Sequence, residues 1–279
     1  MKIIKELPIS LFTRCLLTLM PLSKLKRVKS TQVPVIVSLT SIPSRIRTLH
    51  LVIRSLLNQD TSPKKIVLWL NENLKPVIPK KLKKLEGDLF EIKYSQLTCS
   101  HRKLIHSLQE FPNEIIVTCD DDLMYRRNWI SLLYKEHQKF PENIIANQTS
   151  HINFDDSNKP LPFKKWRKEF INKFNPKALV PIGAWGILYP PNSLHQETTN
   201  IILFLKYAPK ADDLWFKAMA ILNNTISRQA ENVPKEPIPI GGTQKIALKR
   251  DNLGLDKNTL QWAKLEEKYS LSALILNED

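Results

Sequence analysis

An α/β fold with a mostly parallel sheet flanked by helices is predicted by three features of the sequence. Short β-branched runs alternate with helical stretches from residue 33 to 148. The first of these runs, "VPVIVSL" (33–39), is continuously apolar, as a strand buried on both faces requires. Glycine is scarce and proline plentiful (6 and 19 of 279 residues), so the turns between elements rest on proline rather than on flexible loops.

The elements follow in order. After the strand at 33–39, "RIRTLHLVIRSLLNQ" (45–59) places Ile46, Leu49, Ile53 and Leu56 on one face and predicts an amphipathic helix with Ser44 as its N-cap. "KKIVLWL" (64–70) and "LFEIKYS" (89–95) read as further strands, and Trp69 as core. A short helix is predicted at 101–111, a strand at 114–120, a helix at 126–140 and a strand at 143–148. Residues 150–178 lose the rhythm and read as an inserted basic and aromatic loop. "ALVPIGAWGILYPP" (178–191) is strand-like, interrupted by Gly183 and Gly186, and "ADDLWFKAMAIL" (211–222) is helical, with Trp215 and Phe216 as core. The last forty or so residues are proline-bounded, then helical from about Asp256. The organisation implied is an N-terminal basic and apolar segment (1–32), one main domain (33–230) and a helical extension (231–279).

Composition narrows the partners. The formal net charge of +15 attracts polyanions: nucleic acid, acidic lipid head groups or phosphorylated substrates. The basic residues are spread over runs at 24–29, 80–84 and 164–168, so no single recognition helix is indicated. Cys15, Cys99 and Cys119 lack metal-ligand spacing, and their odd number favours a reducing compartment. The stretch "LPISLFTRCLLTLMPL" is interrupted by Arg14 and bounded by Pro8 and Pro21. It has no small-residue cleavage site and is too short to span a bilayer. Two readings stay open for it: a helix packed on the body, or an interfacial helix held on an anionic membrane with the following "SKLKRVK".

The chemistry gathers on carboxylates. "IIVTCDDDLMY" (115–125) is an apolar strand that ends in Asp120, Asp121 and Asp122. Ligands of parallel α/β sheets bind at the carboxyl ends of strands, and hard cations hold substrate phosphates with one or two carboxylates. If the chain stays extended, Asp120 and Asp122 share one side and can share a cation, while Asp121 points the other way. The competing account is capping of the helix from Arg126, which needs one aspartate, not three. Asp212 and Asp213 open a later helix; from spacing alone they are equally a cap or a general base. Lys103 is either a phosphate ligand or a solvated helix residue, and Trp185 either stacks on a sugar face or belongs to the core. The six histidines form no ligand cluster, and Gly241–Gly242 is not placed as a phosphate loop.

Taken together and in order over residues 33–222, "VSLTSIPSRI", "LLNQDTSPKKIVLWL", "RKLI", "VTCDDDLMY", "GAWGILYPP" and "APKADDLWFKAM" resemble bacterial nucleotide-sugar glycosyltransferases of the GT-A (Rossmann-like) fold. They are similar to the inverting family-2-type enzymes of capsule and lipopolysaccharide synthesis. The resemblance implies that residues 33–230 are the catalytic domain. Thr40, Pro43 and Arg45 would hold the nucleotide, joined by Lys103, Asp120 and Asp121 on the donor. Asp120 and Asp122 would carry Mn²⁺ or Mg²⁺ on the donor diphosphate. Asp213, with Asp212 close behind, would deprotonate the acceptor hydroxyl, and Gly183, Ala184, Trp185 and Gly186 would border donor sugar and acceptor. Implied partners are a nucleotide-diphosphate sugar and a glycan or lipid-linked acceptor, at the cytoplasmic, inner face of the bacterial inner membrane, with no nucleic acid. Two departures stand out: "QLTCSH" replaces the Asp and Gly-Pro turn expected before Lys103, and no histidine follows residue 195. The rival class is a metal-dependent nuclease or a basic nucleic-acid-binding protein, motivated by the charge and the aspartate triplet.

Overall fold

The computed structural model describes residues 2–166, 175–241 and 256–277; Gly242 and the end of the basic run at 164–168 lie outside them. The centre is a seven-stranded sheet built from β1 (Gln32–Thr40), β2 (Ser62–Asn71), β3 (Phe90–Ser95), β4 (Ile115–Thr118), β6 (Ile144–Ala146), β9 (Ile187–Tyr189) and β10 (Ser227–Gln229). Two short strand pairs accompany it: β5 (Leu123–Met124) with β11 (Ile238–Pro239), and β7 (Thr149–His151) with β8 (Leu179–Pro181). The spatial order in the main sheet is β10-β6-β9-β4-β1-β2-β3. All neighbours are parallel except β9, which runs antiparallel between β4 and β6. This is the mostly parallel, Rossmann-like mixed sheet that the alternation of elements predicts.

Successive residues of β1 feed opposite layers, as the two-residue period of a strand demands. Val35, Val37 and Leu39 pack with α3 (Leu49–Leu57) and α6 (Trp129–Lys139), in a layer that the short helices α2 (Leu22–Lys26) and α4 (Lys80–Lys83) join through Leu25 and Leu82. Ile36 packs on the other side with α5 (Arg102–Glu110), α7 (Ile201–Tyr207) and α8 (Asp212–Leu222). Helices therefore cover both faces. The last two helices, Lys257–Tyr269 and Leu271–Leu276, join the second layer through Trp262, Leu265, Leu271 and Ile275. Trp69, Trp215 and Phe216 are core, as expected.

Several boundaries differ from the sequence reading. The helix expected at 45–59 begins only at Leu49, after a 3-10 turn at Pro43–Arg45, and Ser44 does not cap it. Pro43 fits the first position of that turn, where its missing amide is not needed, and the helix proper begins only after Thr48. The helix expected from Arg126 starts at Trp129 with Asn128 before it, so the aspartate triplet caps nothing there. Residues 178–191 split into two strands around a 3-10 turn, Gly183–Trp185. The region at 150–178 is more than a loop: Thr149–His151 pairs with Leu179–Pro181, and Trp166 packs edge-on against Trp262 with ring centroids 5.1 Å apart.

The N-terminal stretch forms α1 (Lys2–Leu19), which packs on α3 and β11. Leu17 is buried, Ser10 donates to the Pro239 carbonyl at 2.7 Å, and Arg54 donates to the carbonyls of Leu17 and Met20 at 2.6 and 2.9 Å. One face of α1 is thus part of the body. No described helix is long and apolar enough to cross a membrane.

Candidate active site

β1 leads to β2 on one side, whereas β4 enters on the other, so the strand order reverses between β1 and β4. Ligands of open α/β sheets bind in the crevice outside such a reversal. The register Val35↔Ile115 to Ser38↔Thr118 sets the carboxyl ends of the two strands side by side. Thr40–Arg45 and Asp120–Asp122 therefore meet there, although eighty residues of chain separate Ser41 from Asp121.

Pairing within this crevice does not follow strand alternation. β4 ends at Thr118, so the three aspartates lie in the turn before β5, where the period of two no longer applies. Asp121 and Asp122 both face Arg45. The guanidinium contacts Asp121 Oδ1 directly and lies 3.1 Å from Asp122 Oδ2, while the Ser41 hydroxyl donates to Asp121 at 2.5 Å. Asp120 turns instead toward Lys103, whose Nζ is 3.1 Å from its Oδ1. Burial raises the pKa of Asp122 to about 6, with Asp120 adding to the effect and Arg45 opposing it. Burial likewise pushes Asp121 up against the pull of Arg45.

Thr40 and its neighbours are held from below by Arg102, a residue to which the sequence reading assigned no role. Arg102 is buried; its Nε donates to Thr40 Oγ1 at 2.6 Å, and its terminal nitrogens reach the carbonyls of Ser41 (2.7 Å) and Leu97. The Thr40 hydroxyl in turn donates to the Trp69 carbonyl at 2.8 Å. In the sequence Arg102 resembles any charged residue at a helix start, so only the fold reveals this clamp.

The second acidic pair faces the first across Lys103. Asp212 and Asp213 occupy the first turn of α8 after Ala211, and neither side chain caps the helix. The Lys103 ammonium lies 3.0 Å from Asp212 Oδ2, and Asp213 Oδ2 accepts from the Gly183 amide at 3.1 Å. Lys103 is only 5% exposed, which excludes the solvated reading. Its helix is fixed to β1 by buried Ser38, whose hydroxyl meets the Lys103 carbonyl and the Ser107 hydroxyl. Burial acts against the Lys103 charge, but Asp120, Asp212 and Asp213 hold it well above the ordinary lysine value. The aspartates then separate. Burial would raise Asp212, yet Lys103 and His101 hold it below the usual carboxylate range. Burial and the Asp212 charge push Asp213 up to about 7.

The turn at Gly183–Trp185 closes over this group. A Cβ on Gly183 would lie 3.0 Å from Asp213 Oδ1 and 3.1 Å from Lys103 Nζ. Gly186 has φ +99°, and a Cβ there would come within 2.6 Å of the Trp129 ring. The Trp185 carbonyl accepts from Trp129 Nε1 and Asn147 Nδ2, at 2.8 and 2.9 Å, and the Trp185 side chain is only partly buried. Tyr125 ties the turn to the first aspartate: its hydroxyl accepts from the Asp120 amide at 2.8 Å and donates to the Ala184 carbonyl at 3.0 Å. The structure thus brings Thr40, Arg45, Lys103, Asp120–Asp122, Gly183 and Asp212–Asp213 into one connected region. Pro43 lies at the turn above it.

Among the described residues no group of three or more His, Cys, Asp or Glu side chains is placed to hold a metal ion. Asp120 and Asp122 offer two carboxylates. That number suits a Mg²⁺ or Mn²⁺ carried mainly by phosphate oxygens and water rather than by a protein cage. Burial is the first cause of the raised Asp122 pKa, and a bound cation would act against it.

No protein-family model and no curated protein sequence matches the chain. Solved structures similar to it include 4-diphosphocytidyl-2C-methyl-D-erythritol synthase from Anaerococcus prevotii (13% identity, 81% of this chain and 96% of that one, TM-score 0.46). S. aureus TarS residues 1–349 align at 13% identity over 89% of this chain and 71% of theirs, with a TM-score of 0.48. CMP:2-keto-3-deoxy-manno-octonic acid synthetase complexed with CTP aligns at 11% identity over 82% of this chain and all of its own, with a TM-score of 0.42. At such low identity and TM-score, the function of this chain has to be read from its own site.

Proposed function

We propose that the chain is a nucleotide-sugar-dependent glycosyltransferase that acts with inversion on a saccharide acceptor in bacterial surface polysaccharide synthesis. The observation that carries this reading is the unequal pair Asp212–Asp213, set beside a second carboxylate cluster at the strand-order reversal and separated from it by buried Lys103. Two acidic groups driven apart in acidity by their surroundings are the mark of an acid–base site.

In the reaction proposed, Asp213 takes the proton of an acceptor hydroxyl beside the Gly183–Trp185 turn. The acceptor oxygen bonds to the anomeric carbon, whose bond to the diphosphate breaks, and the electron pair leaves with the nucleoside diphosphate. Asp213 suits the role because its acidity lies near neutrality, where a general base is most effective. Asp212 remains ionised on Lys103 and keeps that ammonium from competing for the base. A divalent cation held by Asp120 and Asp122 would supply charge neutralisation for the diphosphate leaving group. The loop Thr40–Arg45, braced by Arg102, is the candidate wall for the base and ribose. Trp185, partly exposed on its turn, is the candidate sugar-facing aromatic.

Titration of UDP- and GDP-sugars with and without Mn²⁺ tests the reading. Metal-dependent donor binding, lost in Asp120→Asn and retained in Asp213→Asn, supports it. If no nucleotide sugar binds in the presence of metal while DNA is retained at about 0.15 M salt, the nuclease or nucleic-acid-binding reading replaces it.

A further inference from the structure

The face of α1 turned away from the body is apolar. Phe12 is 70% exposed and Leu19 82%, and Ile9 and Leu16 continue the same stripe at helical spacing. Ser10 and Leu17 mark the opposite, packed side. Beside the stripe lies an open groove of about 640 Å³ lined by Phe12, Leu16, Leu19 and Met20, with Lys24 and Arg127 at its edge. That volume is on the scale of a small-ligand site. Lys29 belongs to the same cationic group. Burial and the nearby Arg127 and Lys24 charges hold its ammonium below the ordinary value, although Asp60 opposes them. An exposed apolar stripe bordered by an excess of positive charge complements an anionic phospholipid surface on both counts, with acyl region against phenylalanine and leucine and phosphate against lysine and arginine. With no described helix able to span a bilayer, the fitting geometry is a helix lying in the interface.

We propose that α1 and its groove dock the protein on an anionic phospholipid bilayer, with Phe12, Leu16 and Leu19 inserted among the acyl chains and Lys24 and Arg127 at the head-group phosphates. The arrangement also links the bilayer to the site. Ser10 bonds to Pro239 on β11, β11 pairs with β5, and the Ile240 amide donates to the Asp122 carbonyl at 2.9 Å. Docking needs neither donor nor turnover, so it stands or falls apart from the catalytic proposal.

Flotation of the full chain with vesicles tests it, without metal or nucleotide. Vesicles of phosphatidylcholine alone are compared with vesicles containing one-third phosphatidylglycerol. Partitioning should be at least about tenfold stronger on the anionic vesicles and weaken with added salt. Phe12→Asp with Leu19→Asp should lower it by at least about 100-fold with an unchanged circular dichroism spectrum. Lys24→Gln with Arg127→Gln, which leaves the apolar stripe intact, should lower it by about 25-fold, near fivefold per charge. Equal partitioning on both vesicles overturns the proposal, as does a retained affinity in both double variants. So does a dimer in solution that Phe12→Asp with Leu19→Asp dissociates while the wild type ignores vesicles, because the face would then join two copies of the chain.

Discussion

Lys103 Nζ lies 3.0 Å from the Asp212 carboxylate, while the adjacent Asp213 takes the Gly183 amide instead, so one buried ammonium makes two neighbouring aspartates unequal. Removing that ammonium should remove the inequality. In Lys103→Met, Asp212 loses its partner and the pair should share a proton near neutrality, as two close carboxylates do. Transfer should fall by at least about 100-fold, and the thermal midpoint should drop, because the broken ion pair leaves buried carboxylates uncompensated. Lys103→Arg should recover part of the stability but little of the activity, since a planar guanidinium does not fit beneath Gly183. Parallel melting curves and initial rates check both.

Asp213 dictates a pH profile. Its pKa is raised to about 7 by burial and by Asp212, and a general base works only when ionised. The rate at limiting substrate should therefore rise as pH increases through about 7 and be lost below it. Asp213→Asn should remove this limb, with a rate loss of about 10²–10⁴-fold and unchanged donor affinity. A profile that stays flat from acid to neutral pH, once metal binding is saturated, would count against Asp213 as base.

The two glycines that bracket Ala184 and Trp185 should separate stability from catalysis. Gly186 carries a positive φ, and an added Cβ meets the Trp129 ring at 2.6 Å, so Gly186→Ala should destabilise the fold by about 1–3 kcal/mol. Gly183 lacks the positive φ, and its Cβ would meet Asp213 Oδ1 and Lys103 Nζ at 3.0 and 3.1 Å. Gly183→Ala should accordingly lower the rate more than the melting temperature. Measuring both quantities on both variants decides it.

Lys217 gives a stability prediction that needs no substrate. It is buried one turn after Asp213 on α8, its ammonium has no hydrogen-bond partner among the described residues, and burial lowers its pKa to about 7. The unfolded chain binds that proton up to the ordinary lysine value, so stability should rise as pH increases from about 7 toward 10. Lys217→Met should stabilise the protein at pH 7 by roughly 2–5 kcal/mol and flatten that dependence. Denaturant titrations at several pH values measure both effects.

Much of the frame is legible in the chain. β1 and β4 are continuous apolar runs, and the acids that follow β4 stand out because nothing else in the sequence groups three carboxylates behind a buried strand. The helix at 49–57 is visible from its apolar spacing, but its start is not, because the 3-10 turn at Pro43–Arg45 and the turn that follows it to Thr48 take the first residues of the expected helix. Which aspartate meets which cation is not legible either. Alternation holds only along an extended strand, and Asp120–Asp122 lie past its end, where Arg45 collects two of them and Lys103 the third. Arg102 left no signal at all, since a clamp on Thr40 and Ser41 exists only once α5 lies across β1.

By itself the sequence determined the alternation of strands and helices, the mostly parallel sheet and the chain positions of the acidic groups, because these depend on local period and propensity. The tertiary structure decided the rest. It set β9 antiparallel beside β4, brought Thr40 and Asp120 to one crevice, and slid Lys103 between Asp120 and Asp212, more than ninety residues apart in the chain. Acidity responds to burial and to charges within a few ångströms, and those distances are properties of the packed chain. The same holds for α1, whose composition permitted either a packed or an interfacial helix. Packing against Pro239 and Arg54 chose which face is buried and left Phe12 and Leu19 outward.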